Sequence, residues 1–160
     1  MKARINFYGL AGDITQQASK LQQAIVQTGI ETSLFELIKI RASQINGCAY
    51  CLNMHNLEAR QHGETEQRLY VLAAWRESSL FTPRERAALA WTEAVTLVST
   101  HGAAEAQFAE LKQHFTEAEI AAVTSQIAMI NFWNRVAISG GFIHPSEEKA
   151  RTAKAQPVPT

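Results

Sequence analysis

Apolar residues recur along this chain at intervals of three and four, the spacing that gathers side chains on one face of an α-helix. Leu21, Ala24, Ile25 and Thr28 set the period in a first segment over residues 13–28, and Gly29 supplies a stop. Ser33-Leu34-Phe35-Glu36 reads as a capping box opening a second helix through Leu37, Ile38, Arg41 and Ile45. Asn46-Gly47 interrupts that helix, so a fresh one is expected to start near Cys48 and run to His62-Gly63. Thr65 caps a further segment through Leu69, Leu72 and Ala73, and Ser78, Ser79 and Phe81 fall in a connection. Thr82-Pro83-Arg84-Glu85 combines a cap, a proline at the first helical position and a glutamate at the third. It is the clearest helix start in the chain, with Ala87, Ala90, Trp91, Ala94, Leu97 and Val98 as its apolar face.

A short helix is expected over residues 103–111. Thr116-Glu117-Ala118-Glu119 then opens a long one carrying Ile120, Val123, Ile127, Ile130 and Ala137, ended by Gly140-Gly141. Neither β alternation nor an internal repeat stands out. The expected fold class is all-α: one bundle of about six to eight helices over residues 1–145. A polar tail, 146–160, is expected to be disordered.

Composition narrows the function classes. The 160 residues are 46% apolar and 19% charged, enough to bury a core. Fifteen basic residues balance fifteen acidic ones, which argues against a nucleic-acid surface or an acidic membrane as partner. A neutral surface also opposes self-association only weakly. The N-terminus lacks the apolar run of a signal peptide, and no stretch approaches the roughly 18 apolar residues of a membrane span. A cytoplasmic location is therefore expected.

Both cysteines stand in Cys48-Ala49-Tyr50-Cys51, four residues before His55. On a helix, Cys48, Cys51, Leu52, His55 and Ala59 share a face. In a reducing compartment such a pair is more often redox-active or metal-binding than a structural staple. A helix N-terminus favours a thiolate, and a histidine one turn on can take a proton from Cys51 or hold one beside it. A sulfenic acid formed on one sulfur can condense with the other thiol to a disulfide.

Plainer readings stand beside this one. The cysteines could be inert buried thiols, and Cys48, Cys51 and His55 could hold zinc, although a structural zinc site wants a fourth ligand and no second pair exists. Glu36 could be a capping residue alone. His62, His101, His114 and His144 read as helix-end or connecting residues. Asn131 and Asn134 read as buried structural links, and Trp75, Trp91 and Trp133 as core or interface anchors.

The run of Glu36, eleven residues, then Cys48-x-x-Cys51-x-x-x-His55, preceded by Asn46-Gly47, resembles the motif of the AhpD-like alkylhydroperoxidases. These belong to the carboxymuconolactone decarboxylase superfamily. The likeness extends to Glu64–Trp75, Phe81–Trp91 and Asn131–Asn134, and covers most of residues 15–145. It implies an all-α trimer or hexamer that reduces hydroperoxides without metal or cofactor, with its site near a subunit boundary. Cys51 would be the peroxide-reactive thiol and Cys48 the resolving one, with His55 and Glu36 as the proton relay. The reductant would be an external dithiol, a lipoyl-carrying protein in the best-known branch. That branch has a histidine where this chain has Tyr50, a poor base at neutral pH, so its relay is rearranged here. The alternatives are a decarboxylase or lactone-processing enzyme on the same fold, and a non-enzymatic redox-sensing oligomer.

Overall fold

The computed structural model describes residues 3–102, 105–147 and 149. Among these the elements are helical, with no strand: α1 (Phe7–Leu10), α2 (Gly12–Val26), α3 (Thr32–Asn46), α4 (Ala49–Gln61) and α5 (Glu66–Val71), then a 3₁₀ helix (Leu72–Glu77). They continue with α6 (Pro83–Thr96), α7 (Val98–His101), α8 (Glu105–His114) and α9 (Glu117–Gly140). The all-α expectation holds. Of the expected tail, all but residues 146, 147 and 149 lies outside the described residues.

Helix α3 is the centre of the packing, with α4, α6 and α9 around it. A helix enclosed by neighbours must be apolar on most of its circumference, and Leu34, Phe35, Leu37, Ile38, Ile40 and Ala42 are all buried. One side of α3 joins a core with Trp91, Leu111, Val123 and Ile127. The other side, through Leu37 and Ile40, meets Ala59, Leu72, Trp75 and Leu89.

Two capping boxes form as expected. Thr82 and Glu85 bond each other's backbone at the start of α6, and Thr116 and Glu119 do so at the start of α9. The third does not form. Helix α3 starts at Thr32 with Glu31 as its N-cap and no side-chain cap bond, which moves Glu36 into the second turn. There its own backbone N–H lies inside the helix and its side chain is free to point elsewhere.

Other boundaries differ locally. Thr65 caps α5 as expected, but α geometry ends at Val71 and the 3₁₀ turn carries Leu72 and Trp75 inward. Helix α6 stops at Thr96 because Leu97 leaves helical geometry (φ −101°, ψ 20°), so Val98 belongs to α7 instead. The helix expected over 103–111 runs Glu105–His114, residues 103 and 104 lying outside the described ones. Helix α1 lacked a periodic signal; it is one turn capped by the Asn6 side chain, which accepts from the Gly9 N–H at 3.1 Å.

Polar ties set the register of the helices around the cysteines. Asn46 Nδ2 donates to Asn131 Oδ1 (3.0 Å) and Asn134 Oδ1 (2.8 Å), joining the end of α3 to the middle of α9. Asn134 Nδ2 donates to Ser43 Oγ (3.0 Å) and Asn131 Nδ2 to Thr96 Oγ1 (3.0 Å). The two asparagines are thus structural links. At the far end of α9, Arg4 Nη1 donates to the carbonyls of Ile138 (2.9 Å) and Ser139 (3.1 Å), satisfying groups that a helix end leaves unpaired. This clasp brings the N-terminal segment against α9, and Tyr8 meets the Phe142 ring at 5.4 Å.

Candidate active site

The break at Gly47 works as the spacing implied. Gly47 takes the left-handed conformation (φ 69°, ψ 33°) and ends α3. Cys48 is then the N-cap of α4, its sulfur accepting from the Cys51 N–H at 3.3 Å. Cys51 is the third helical residue, inside the first turn, where unpaired N–H groups favour an anion. The structure records the two sulfurs as a disulfide, with Cα atoms 5.4 Å apart. Both cysteines are buried, 1% and 2% exposed, against Ala137 of α9 and beneath Tyr50 and Phe142.

One turn on, His55 is buried, and its Nδ1 meets two carboxylates. Glu58 Oε2 is at 2.9 Å, a hydrogen-bond length, and Glu36 Oε2 is at 3.4 Å. Lys39 Nζ lies 2.5 Å from Glu36 Oε1 and 3.9 Å from Glu58 Oε2. The four groups form one cluster between α3 and α4. The hydrogen bond with His55 holds the Glu58 carboxyl below the ordinary carboxylate range, against the opposing effect of burial and with the charge of Lys39 assisting.

Of the residues singled out in the sequence, the fold sets Glu36 3.4 Å from His55, joins Cys48 to Cys51, and lines one cavity with Cys51 and His55. Sequence reasoning missed Glu58 and Lys39. The signal was present, since each stands three residues after a partner on the same helix face: His55 and Glu58, Glu36 and Lys39.

Two cavities reach the disulfide from different sides. One, of about 260 Å³, is lined by Cys51, His55, Glu58 and Lys39, with Met54, Trp133 and Tyr8. The other, of about 490 Å³, is lined by Cys48, Arg4, Ile138, Ile143 and Glu147. Tyr50, Ala137 and Phe142 border both. The Tyr50 and Phe142 rings meet edge to face with centroids 5.6 Å apart, a wall between the two approaches.

Among the described residues, Glu36, His55 and Glu58 offer three ligand atoms within 4.8 Å of one another, a set suited to a divalent cation. Lys39 already brings its ammonium to both carboxylates, so a cation is supplied by the chain itself. The zinc reading drew on Cys48, Cys51 and His55, whereas the donors that converge here are a different set, and the two sulfurs are joined to each other.

The family comparison bears on this arrangement directly. The profile of the carboxymuconolactone decarboxylase family matches residues 13–94, which span α2 to α6 and every residue of the cluster. The chain belongs to that family. Among its relatives is the uncharacterized protein YdfG of Bacillus subtilis, 37% identical over 141 residues, covering 88% of this chain and 96% of that one. An alkyl hydroperoxide reductase AhpD from Hyphomonas neptunium is 38% identical over a shorter stretch of 55 residues, 34% of this chain and 31% of that protein. The crystal structure of a protein of unknown function from Agrobacterium tumefaciens, a candidate antioxidant defence protein AhpD, superposes with a TM-score of 0.87 at 40% identity. That match covers 90% of this chain and 99% of the other. This member of the family is therefore AhpD-like in fold. Among the described residues, none of its helices is long and apolar enough to cross a membrane.

Proposed function

We propose that the protein is a thiol-dependent, peroxide-reducing oxidoreductase that cycles Cys48 and Cys51 between dithiol and disulfide. The observation that carries this reading is the shared cavity: Cys51, at the first turn of α4, and His55, held by carboxylates, line the same 260 Å³ space. The AhpD-type relatives support the substrate class.

In the proposed cycle His55 accepts the Cys51 proton, with Glu36 behind the ring. The Cys51 thiolate attacks one oxygen of a hydroperoxide, the O–O bond breaks, and the alcohol leaves with the proton that His55 returns. The Cys51 sulfenic acid then condenses with the Cys48 thiol, releasing water and forming the disulfide. An external dithiol, such as a lipoyl group, reduces that disulfide by exchange and leaves as its own disulfide. The Cys48–Cys51 bond corresponds to the oxidised end of this cycle. Tyr50 has no part in the relay and serves as wall.

A reducing compartment such as the cytoplasm suits the cycle. Exposed Ile14, Leu21 and Val26 on α2 support assembly into a homo-oligomer, a trimer or hexamer on the family pattern.

The test is consumption of an organic hydroperoxide with dihydrolipoamide as reductant, for wild type, Cys51→Ser and Cys48→Ser. Turnover should be lost in both variants, and Cys48→Ser should accumulate a sulfenic acid on Cys51, detected by mass spectrometry after dimedone labelling. Wild-type consumption no faster than that of Cys51→Ser would overturn the proposal.

A further inference from the structure

His55 Nδ1 can carry at most one proton, and two carboxylates lie near it. The Glu58 oxygen at 2.9 Å is within hydrogen-bond range, whereas the Glu36 oxygen at 3.4 Å lies beyond the usual N–H···O length. Glu36 is committed elsewhere, its Oε1 held by Lys39 at 2.5 Å, and its buried Oε2 has no hydrogen-bond partner. The groups around the ring are Glu36 and Lys39 from α3, and Cys51 and Glu58 from α4, while α9 presents the uncharged Ile130, Trp133 and Ala137. Ser19, Gln22 and Tyr8 from α2 and α1, with Tyr50, Met54 and Phe142, add no carboxylate or ammonium to the wall.

We propose that Glu58 is the positioning residue of His55: its carboxylate accepts the hydrogen bond from Nδ1–H and so leaves Nε2 as the ring's free acceptor for the Cys51 proton. The inference deepens the peroxidase reading and rests on it for its link to turnover. Glu36 has a second role. When Cys51 gives its proton to Nε2, the products are a thiolate and an imidazolium, and the imidazolium has both the Glu58 and Glu36 carboxylates beside its Nδ1. Lys39, with its Nζ 2.5 Å from Glu36 Oε1, holds that side chain in place. The lowered Glu58 pKa fits a carboxylate that stays charged while it holds the ring.

The tautomer can be read apart from activity. In reduced protein carrying ¹⁵N-histidine, long-range ¹H–¹⁵N spectra should show His55 protonated at Nδ1. Glu58→Ala should move the proton toward Nε2, and its Cys51 oxidation by hydroperoxide should slow by about 10–100-fold, the worth of one hydrogen bond to a charged group. Glu58→Gln, which keeps an acceptor oxygen, should restore the tautomer and part of the rate. Glu36→Gln should leave the tautomer unchanged. Alanine is the best helix former and the Glu58 side chain is 40% exposed, so the truncated variant should fold. An unchanged tautomer in Glu58→Ala, or a change in Glu36→Gln instead, would overturn the inference. A tautomer shift as expected in a protein that reduces no peroxide would sink the peroxidase reading and leave the positioning role standing.

Discussion

Asn46 Nδ2 donates to Asn134 Oδ1 at 2.8 Å, joining residues 88 positions apart in the sequence. Asn46 is the last residue of α3 and Gly47 follows it, so this bond sets where the chain turns to present Cys48. Asn134 is fully buried and returns a bond to Ser43 of the same helix. Replacing it takes that bond from the fully buried Ser43 hydroxyl and leaves Asn46 with Asn131 alone. Asn134→Ala should therefore lower unfolding stability by about 2–3 kcal/mol, read as a shift of the urea midpoint at constant slope. A loss below about 1 kcal/mol would show that α3 and α9 hold their register without it.

Glu93 of α6 predicts a pH dependence. It accepts from Trp75 Nε1 and Arg41 Nε, both at 2.8 Å, and from Arg76 Nη1 at 2.5 Å. Burial alone would raise its pKa, but these bonds and the charge of Arg41 hold it below the ordinary value. A depressed carboxyl contributes stability above its unfolded pKa of about 4.3 and loses it as pH falls through the folded value. Glu93→Gln should thus cost about 1.5–3 kcal/mol at neutral pH, and the gap to wild type should close in acid. Urea midpoints at neutral pH and at about pH 3 check this. A gap of equal size at both would contradict it.

Tyr50 covers the disulfide and borders both cavities. Tyr50→Ala should join the two spaces and expose the sulfurs of two cysteines that are now 1–2% accessible as residues. Thiol–disulfide exchange depends on access as well as on thiolate fraction. Reduction by dithiothreitol, followed by acid quench and mass spectrometry, should accelerate severalfold. An unchanged rate would mean that the Tyr50 ring does not limit approach to the sulfurs.

What the sequence determined by itself was local. The α6 and α9 capping boxes form because a threonine hydroxyl and a glutamate three residues on answer each other's backbone, a pattern complete within four residues. The Gly47 stop and the shared face of Cys48, Cys51, His55 and Ala59 follow from backbone freedom and helical period alone. The Ser33–Glu36 box failed for the opposite reason. The helix starts at Thr32 without a side-chain cap bond, and burial of Glu36 beside His55 and Lys39 draws its side chain away from the helix end.

Only the tertiary structure decided which carboxylate serves His55. Glu36 and His55 stand 19 residues apart across a helix break, and no spacing rule gives the distance between groups on two different helices. Glu58 shares a helix with His55, so its closeness could be read from period, but its advantage over Glu36 is a difference of half an ångström set by how α3 packs on α4. The two approaches to the disulfide have the same origin. They are divided by Tyr50 of α4 and by Phe142, which follows the end of α9, 92 residues away. A wall built from such distant segments exists only once the helices have packed.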